Sequence, residues 1–215
     1  LAFLFRELYD YGKEFIMVDF LCVAGQMRSG KNVVGDHICS RLGFTTASFA
    51  KPVKDIFCEA FVVNIDFVEA WKVKENPPPK FNKSVRQALQ FIGDGFRNIY
   101  PDVWVDYAFA NNPPKSCFTD GRYLNELRRV RASGGMNILM WRPDYENNDS
   151  NESEAQIKRV VDWFVSHGAE DGPVECPKGD CPPGCDMVDF FLINDGTLFD
   201  LYDKVDKIII PAVQT

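Results

Sequence analysis

Val18-Asp-Phe-Leu-Cys-Val-Ala-Gly25-Gln-Met-Arg-Ser-Gly30-Lys31-Asn32 is the most informative stretch of this 215-residue chain. Residues 18–24 are mostly apolar, β-branched or aromatic, the pattern of a buried strand. Gly25 to Lys31 fits G-x-x-x-x-G-K. From Asn32 to Leu42 the apolar residues Val33, Val34, Ile38 and Leu42 recur at helical spacing. A strand, a glycine loop and a helix in this order suit phosphate. The glycines Gly25 and Gly30 let the backbone wrap so that successive N–H groups converge on phosphate oxygens. The helix N-terminus adds a favourable partial charge, and Lys31 reaches the terminal phosphates as a mobile cation. The loop residues Arg28, Ser29, Asn32 and Val33 complete the candidate ATP-binding segment. Asn32 stands where a Ser or Thr hydroxyl normally ligates Mg²⁺. Its amide oxygen suits a hard cation, although on a longer side chain, and Val33 offers no substitute. Metal binding is therefore expected to lean on nucleotide phosphates, water and a carboxylate elsewhere.

Working outward, further strands are expected at 44–49, 116–119, 136–141 and 188–193, with a last short one at 208–210. Helical spacing marks 52–61, 84–99, 103–110, 125–132, 157–167 and 197–205. Asn76-Pro-Pro-Pro-Lys80 reads as a stiff linker. Strands alternating with helices imply a mostly parallel sheet covered on both faces. The fold class is thus α/β, a three-layer P-loop fold. One domain over 17–215 is expected, with an insertion or lid at about 143–187. The chain begins with Leu1, and Met17 opens the first strand. Residues 1–16 are expected to be an upstream extension or tag, with a native N-terminal helix as the equal alternative.

The required carboxylate should end another core strand, because ligands of open parallel sheets bind beyond that edge. Asp120 meets this condition. Arg122 follows two residues later, where a planar guanidinium suits bidentate phosphate recognition. The bland alternative, a solvated Asp-Gly-Arg turn, loses ground once a phosphate loop and a strand stand beside it.

Composition narrows the partners. There are 24 basic and 31 acidic residues, a net charge of −7, which disfavours a long nucleic-acid footprint. Small phosphorylated ligands remain compatible. No apolar run reaches the roughly 18–20 residues of a membrane span, and no secretory signal is read at the start. The seven cysteines are odd in number and scattered, which suits a reducing cytoplasm better than a disulfide framework. A homodimer is left open. Cys176, Cys181 and Cys185 lie within a Pro/Gly-rich loop as C-x4-C-x3-C. Zinc takes thiolates readily, so a structural site completed by His167, Asp180 or Asp186 is one expectation. Plain reduced thiols or an adventitious disulfide is the other.

Beyond single residues, several segments resemble the bacteriophage-type deoxynucleoside monophosphate kinases, a branch of the adenylate-kinase-like P-loop kinases. Gly25–Lys31, with Arg28-Ser29, resembles their G-x-x-R-S-G-K loop. Phe49-Ala-Lys-Pro-Val-Lys54 resembles F-A-x-P-[LIV]-K. Arg86-Gln-Ala-Leu-Gln90-Phe-Ile-Gly93 resembles R-x-x-[LM]-Q-x-x-G. Asp120-Gly-Arg122-Tyr-Leu-Asn125-Glu126 is similar to D-x-R-[FY]-x-N-E. Gly134-Gly135, a strand and Arg142-Pro143 follow, and Asn194-Asp-Gly196-Thr197-Leu-Phe-Asp-Leu-Tyr202 resembles the closing segment. The matches run in order over about 18–210. The chain departs at Asn32, at Asn151-Glu-Ser-Glu154 where relatives often carry a His-x-[ST]-E-like run, and in the cysteine-rich insertion.

This resemblance implies an adenylate-kinase-like fold with a lid. It implies transfer of the ATP γ-phosphate to a deoxynucleoside monophosphate, with Mg²⁺ as cofactor, in a cytoplasm that is the host's if the source is viral. It implies catalytic roles for Lys31, Asp120 and Arg122, with Mg²⁺ near Asn32 and Asp120. The acceptor is expected at Lys51, Arg86, Gln90, Arg122 and Arg142, and adenine near Asn194, Gly196 and Thr197. Lys158 and Arg159 are lid candidates, weighed against a solvated helix face. Two rivals remain. One is a P-loop kinase for another small acceptor, such as dephospho-coenzyme A or a sugar acid. The other is a nucleotide-binding module without turnover, which Asn32 favours and Arg86 with Asp120–Arg122 disfavours.

Overall fold

A computed structural model describes residues 18–145, 152–176 and 181–214. The expectation for residues 1–16 lies outside the described residues. Six strands form one sheet: β1 (Phe20–Gly25), β2 (Thr45–Ala47), β3 (Ser116–Gly121), β4 (Met136–Trp141), β5 (Gly172–Pro173) and β6 (Phe190–Ile193). Their spatial order is β2-β3-β1-β4-β6-β5, and every pair is parallel except the short β5 against β6. Helices cover both faces, so the expected three-layer α/β fold is the observed one. The five longer strands are those expected from the sequence.

Alternation along β1 explains the two faces. Cys22 and Ala24 join one buried cluster with Leu127 and Val130 of α6 (Leu124–Ala132) and Ile157, Val160 and Phe164 of α7 (Glu152–Ser166). Leu21 and Val23 join the other, with Val34 and Ile38 of α1 (Lys31–Leu42) and with Leu201, Val205 and Ile209 near the C-terminus. A strand buried on both sides reads as a continuous apolar run, which is why 18–24 was legible. Burying each of these large side chains contributes about 1.5–3 kcal/mol.

A smaller third cluster lies among α2 (Lys51–Phe61), α3 (Ile65–Trp71) and α4 (Val85–Ile99). Phe57, Val68 and Val85 are its buried centre, with Phe81, Leu89 and Ile92 against them. Two of its three helices start at side-chain caps. The Asn64 side chain accepts from the Phe67 N–H, and Ser84 with Gln87 forms a capping box. Helix α5 (Val103–Asn111) leads back to β3.

Three expectations need correction. Residues 208–210 are helical, not a strand. Helix α8 (Leu198–Lys204) runs into a π-helical turn at Val205–Ile209 and on into α9 (Ile210–Val213). Leu201, Val205 and Ile209 recur every four residues and bury one face, a period that a three-residue reading misses. Residues 65–71 form a helix not expected from the sequence, short enough to carry only two turns. Within the insertion expected at about 143–187, where the sequence marks no strand before 188, Gly172–Pro173 pairs with Phe190–Phe191. Helix α7, inside the expected lid stretch, is rooted in the main core, with Ile157 and Val160 fully buried.

Candidate active site

The phosphate loop is shaped by three close approaches. Gly25 sits at φ +146°, and a Cβ there would lie 2.5 Å from the Met140 carbonyl oxygen. Gly30 sits at φ +102°, and a Cβ would lie 2.7 Å from Asn194 Nδ2. Both positions require glycine. Gly35, one turn into α1, lets the helix press on β3; a Cβ there would lie 2.2 Å from Thr119 Cγ2. Arg28 adopts a left-handed φ of 61°, and its guanidinium lies 5.5 Å from the Tyr145 ring centre. Ser29 is buried, and its hydroxyl has no protein partner among the described residues.

Lys31 is only 6% exposed. Its Nζ donates to the Gly25 and Gln26 carbonyls at 2.8 and 2.6 Å, so the ammonium is folded back on its own loop. Burial, joined by the charge of Arg122, brings its pKa down to about 7, against the opposing pull of Glu154 and Asp120. A loop carrying a cation this poorly solvated gains by receiving phosphate oxygens.

A cavity of about 640 Å³ opens beside the loop. Lys31, Asn32, Arg86, Gln90, Asp120 and Arg122 all line it, brought from β1–α1, α4 and the end of β3. Arg28, Gly30 and Val33 line it too. Lys51 and Arg142 do not: Lys51 is exposed and paired with Asp55 at 2.5 Å, and Arg142 is exposed beyond β4. Asn194 lies under the loop, its Nδ2 donating to the Ser29 carbonyl at 3.0 Å. Gly196 and Thr197 form the turn that starts α8, where Thr197 and Asp200 make a capping box. Lys158 and Arg159 lie exposed on α7, and Lys158 pairs with Asp162 at 2.6 Å, a solvated helix face.

Asp120 has a task that spacing did not show. Its Oδ1 accepts from the Phe49 N–H at 2.9 Å; its Oδ2 accepts from the Ser48 hydroxyl at 2.6 Å and the Ala50 N–H at 3.0 Å. The carboxylate thus clamps the Phe49–Lys54 segment, and α2 with it, to β3. An ionised carboxylate offers about four acceptor positions, so three are already engaged.

Several lining residues were missed by sequence reasoning. Lys54 and Lys72 reach the cavity from α2 and the end of α3, both paired with Glu69. At the α4 end, Arg97 lies 3.9 Å from the Tyr123 ring centre and 3.1 Å from Asp94. Glu126 is 3% exposed and accepts the Arg122 and Tyr123 N–H groups at 2.7 and 2.9 Å. Burial, helped by Asp120, raises its pKa to about 7. Two of these carried a signal: Glu126 closes the quoted Asp120–Glu126 segment, where it was given no role, and Arg97 sits one helical turn beyond Gly93.

Zinc has no support. Among the described residues, no group of three or more His, Cys, Asp or Glu is arranged to hold a metal ion. Cys185 is fully buried, and Cys176 and Cys181 pack against the same core. Burial pushes the Cys176 thiol up to about 11 and the Cys185 thiol up to about 12, as for small apolar packing residues. His167 stacks on Trp163 instead, its ring centre 4.2 Å away. Asp180 lies outside the described residues. None of the seven cysteines forms a disulfide. No helix among the described residues is long and apolar enough to cross a membrane.

No family model matches the chain. A curated protein of Acanthamoeba polyphaga mimivirus, named "Putative deoxynucleotide monophosphate kinase", is 28% identical over 161 residues, covering 66% of this chain and 83% of its own length. Among solved structures, a dephospho-CoA kinase from Campylobacter jejuni is 16% identical, covering 92% of this chain and 98% of its own, with a TM-score of 0.42. Shikimate kinase from Acinetobacter baumannii is 13% identical, covering 94% and 99%, with a TM-score of 0.46. The mimivirus relative bears out the resemblance to deoxynucleoside monophosphate kinases that the motifs carry.

Proposed function

We propose that this protein transfers the γ-phosphate of ATP to a deoxynucleoside monophosphate, giving the diphosphate and ADP. The observation that carries the reading is a single cavity in which a buried phosphate-loop lysine, Lys31, shares the wall with two arginines from separate elements, Arg86 and Arg122. Phosphoryl transfer needs little covalent chemistry from the protein. It needs two polyanions aligned and their charge neutralised. In this reading the loop N–H groups hold the ATP phosphates. Lys31 leaves its own carbonyls to meet them and regains a proton above pH 7. Arg86 and Arg122 hold the acceptor phosphate in line, and Asp120 keeps the α2 segment against β3 so that the acceptor side stays in register.

Beyond the phosphates, Gln90, Asp94, Arg97 and Tyr123 offer donors, acceptors and a ring face suited to a nucleobase. Asn32 and the remaining acceptor position of Asp120 fit a Mg²⁺ held mainly by phosphates and water, which would neutralise charge on the transferring group. The mimivirus relative's name supports the nucleotide acceptor.

The test is ADP release by purified protein with ATP, Mg²⁺ and each of dAMP, dGMP, dCMP and TMP. Turnover with at least one supports the proposal, and none with any of the four refutes it. Dephospho-coenzyme A and shikimate run in parallel distinguish a P-loop kinase of another acceptor.

A further inference from the structure

We infer that Glu154, on α7, is a positioning residue that sets the phosphate loop and the acceptor arginine relative to one another. This rests on the function just proposed. The carboxylate is reached from two distant places in the chain. Its Oε2 accepts the Met27 N–H of the phosphate loop at 3.0 Å. Its Oε1 accepts Arg122 Nη1 at 2.6 Å, across 32 residues. The side chain is 2% exposed, whereas that of Arg122 is 32% exposed. Glu154 does not line the cavity, while Met27 and Arg122 both do. It therefore stands behind the wall and touches no ligand space.

Met27 extends the same arrangement. Arg86 Nη1 lies 2.8 Å from its Sδ. Both arginines assigned to the acceptor are thus keyed to one loop residue, Arg86 through the thioether and Arg122 through Glu154. A buried ion pair is weak evidence for stability, but breaking it strands a charge and releases the geometry it held. Here the stranded partner would be Arg122, and the freed backbone donor would be that of Met27.

The experiment compares wild type, Glu154→Gln and Glu154→Asp in two assays, with a thermal midpoint for each protein. One assay is binding of a fluorescent ATP analogue, which needs no acceptor. The other is steady-state kinetics with the best deoxynucleoside monophosphate. Glu154→Gln should raise the acceptor KM about tenfold or more, with a smaller change in kcat, and weaken the ATP analogue severalfold as the Met27 N–H loses its charged acceptor. Glu154→Asp, which keeps the charge on a shorter arm, should recover part of both losses. A fall in kcat as large as the rise in KM, with the thermal midpoint lowered alike in both variants, would show a loosened fold and overturn the proposal. So would a Glu154→Gln protein within twofold of wild type in acceptor KM and in ATP affinity. If Glu154→Gln does not fold, Glu154→Asp decides: acceptor KM and ATP affinity both within twofold of wild type overturn the proposal, and a raised KM with kcat and thermal midpoint near wild type upholds it. Should wild type phosphorylate none of the four monophosphates, the proposed function fails, and the ATP titrations still judge Glu154.

Discussion

The two walls of the cavity are built differently. The phosphate-loop wall stands on β1, whose residues Leu21 to Ala24 are all fully buried, and α1 presses so close to β3 that position 35 has no room for a Cβ. The acceptor wall, α2 to α4, has a separate core of only three buried side chains, and Phe61, Phe91, Phe96 and Ile99 are exposed along it. It is tied to the sheet by the Asp120 clamp on residues 48–50 and by Phe49, whose ring stacks on Phe118 of β3 at 4.3 Å. One wall is part of the main core. The other is a small helical layer held on at a few points, as suits a part that must adjust around a substrate.

This contrast can be broken most severely at Lys31. Lys31→Ala should lower turnover by at least about 10²-fold, by loss of a preorganised charge at the transferring phosphate, while the thermal midpoint holds or rises. A melting curve and an ADP-release assay on the same preparation check this. Next in size is Phe57→Ala, which empties the centre of the small core and should cost about 3–5 kcal/mol locally. If the two walls are independent, hydrogen exchange should rise in α2–α4 and the acceptor KM should increase, while ATP affinity stays near wild type. Uniform exchange over β1 and α1 as well would show the walls to be one unit.

Arg122→Ala should raise the acceptor KM and lower kcat, together by about tenfold or more. Both parameters within twofold of wild type would remove Arg122 from the acceptor site. Asp120→Asn should raise the acceptor KM through the loosened clamp and move the Mg²⁺ titration to higher concentration. A raised acceptor KM with an unchanged Mg²⁺ titration would keep the clamp and take the metal away from Asp120.

The smallest effect is a proton count. Lys31 titrates near pH 7 in the free protein, and phosphate oxygens raise that value. ATP binding should therefore take up a fraction of a proton at pH 7.5–8, and less at pH 6 where Lys31 is already charged. Glu126, brought near 7 from below by the same effect of burial, shifts the same way beside an added anion. Calorimetry in buffers of differing ionisation heat measures the uptake; proton release on binding would reverse the assignment.

The sequence made the phosphate-loop wall easy to read because that wall is contiguous. Strand, loop and lysine fall within fifteen residues, and each element has its own local signature. The acceptor wall was half legible. Arg122 was found from its place after Asp120, and Arg86 and Gln90 through their resemblance to family motifs, but Lys72 carried no comparable mark. Lys51 was chosen where its neighbour one turn on, Lys54, is the one that faces the cavity. Glu154 was quoted only within a departure from the family pattern and given no role, because its importance comes from partners 32 and 127 residues away. Residues 208–210 were misread since three apolar residues look alike in a strand or a helix, and only their alignment with Leu201 and Val205 separates the two.

The central claim is that donor and acceptor phosphates meet in the one cavity between these walls. Its most direct test is a ligand that carries both ends: adenosine and a deoxynucleoside joined by five phosphates, prepared with each of the four bases and titrated into wild-type protein by calorimetry. At least one should bind about 10²-fold more tightly than ATP, because the second end then binds intramolecularly. All four binding no more tightly than ATP would contradict the claim.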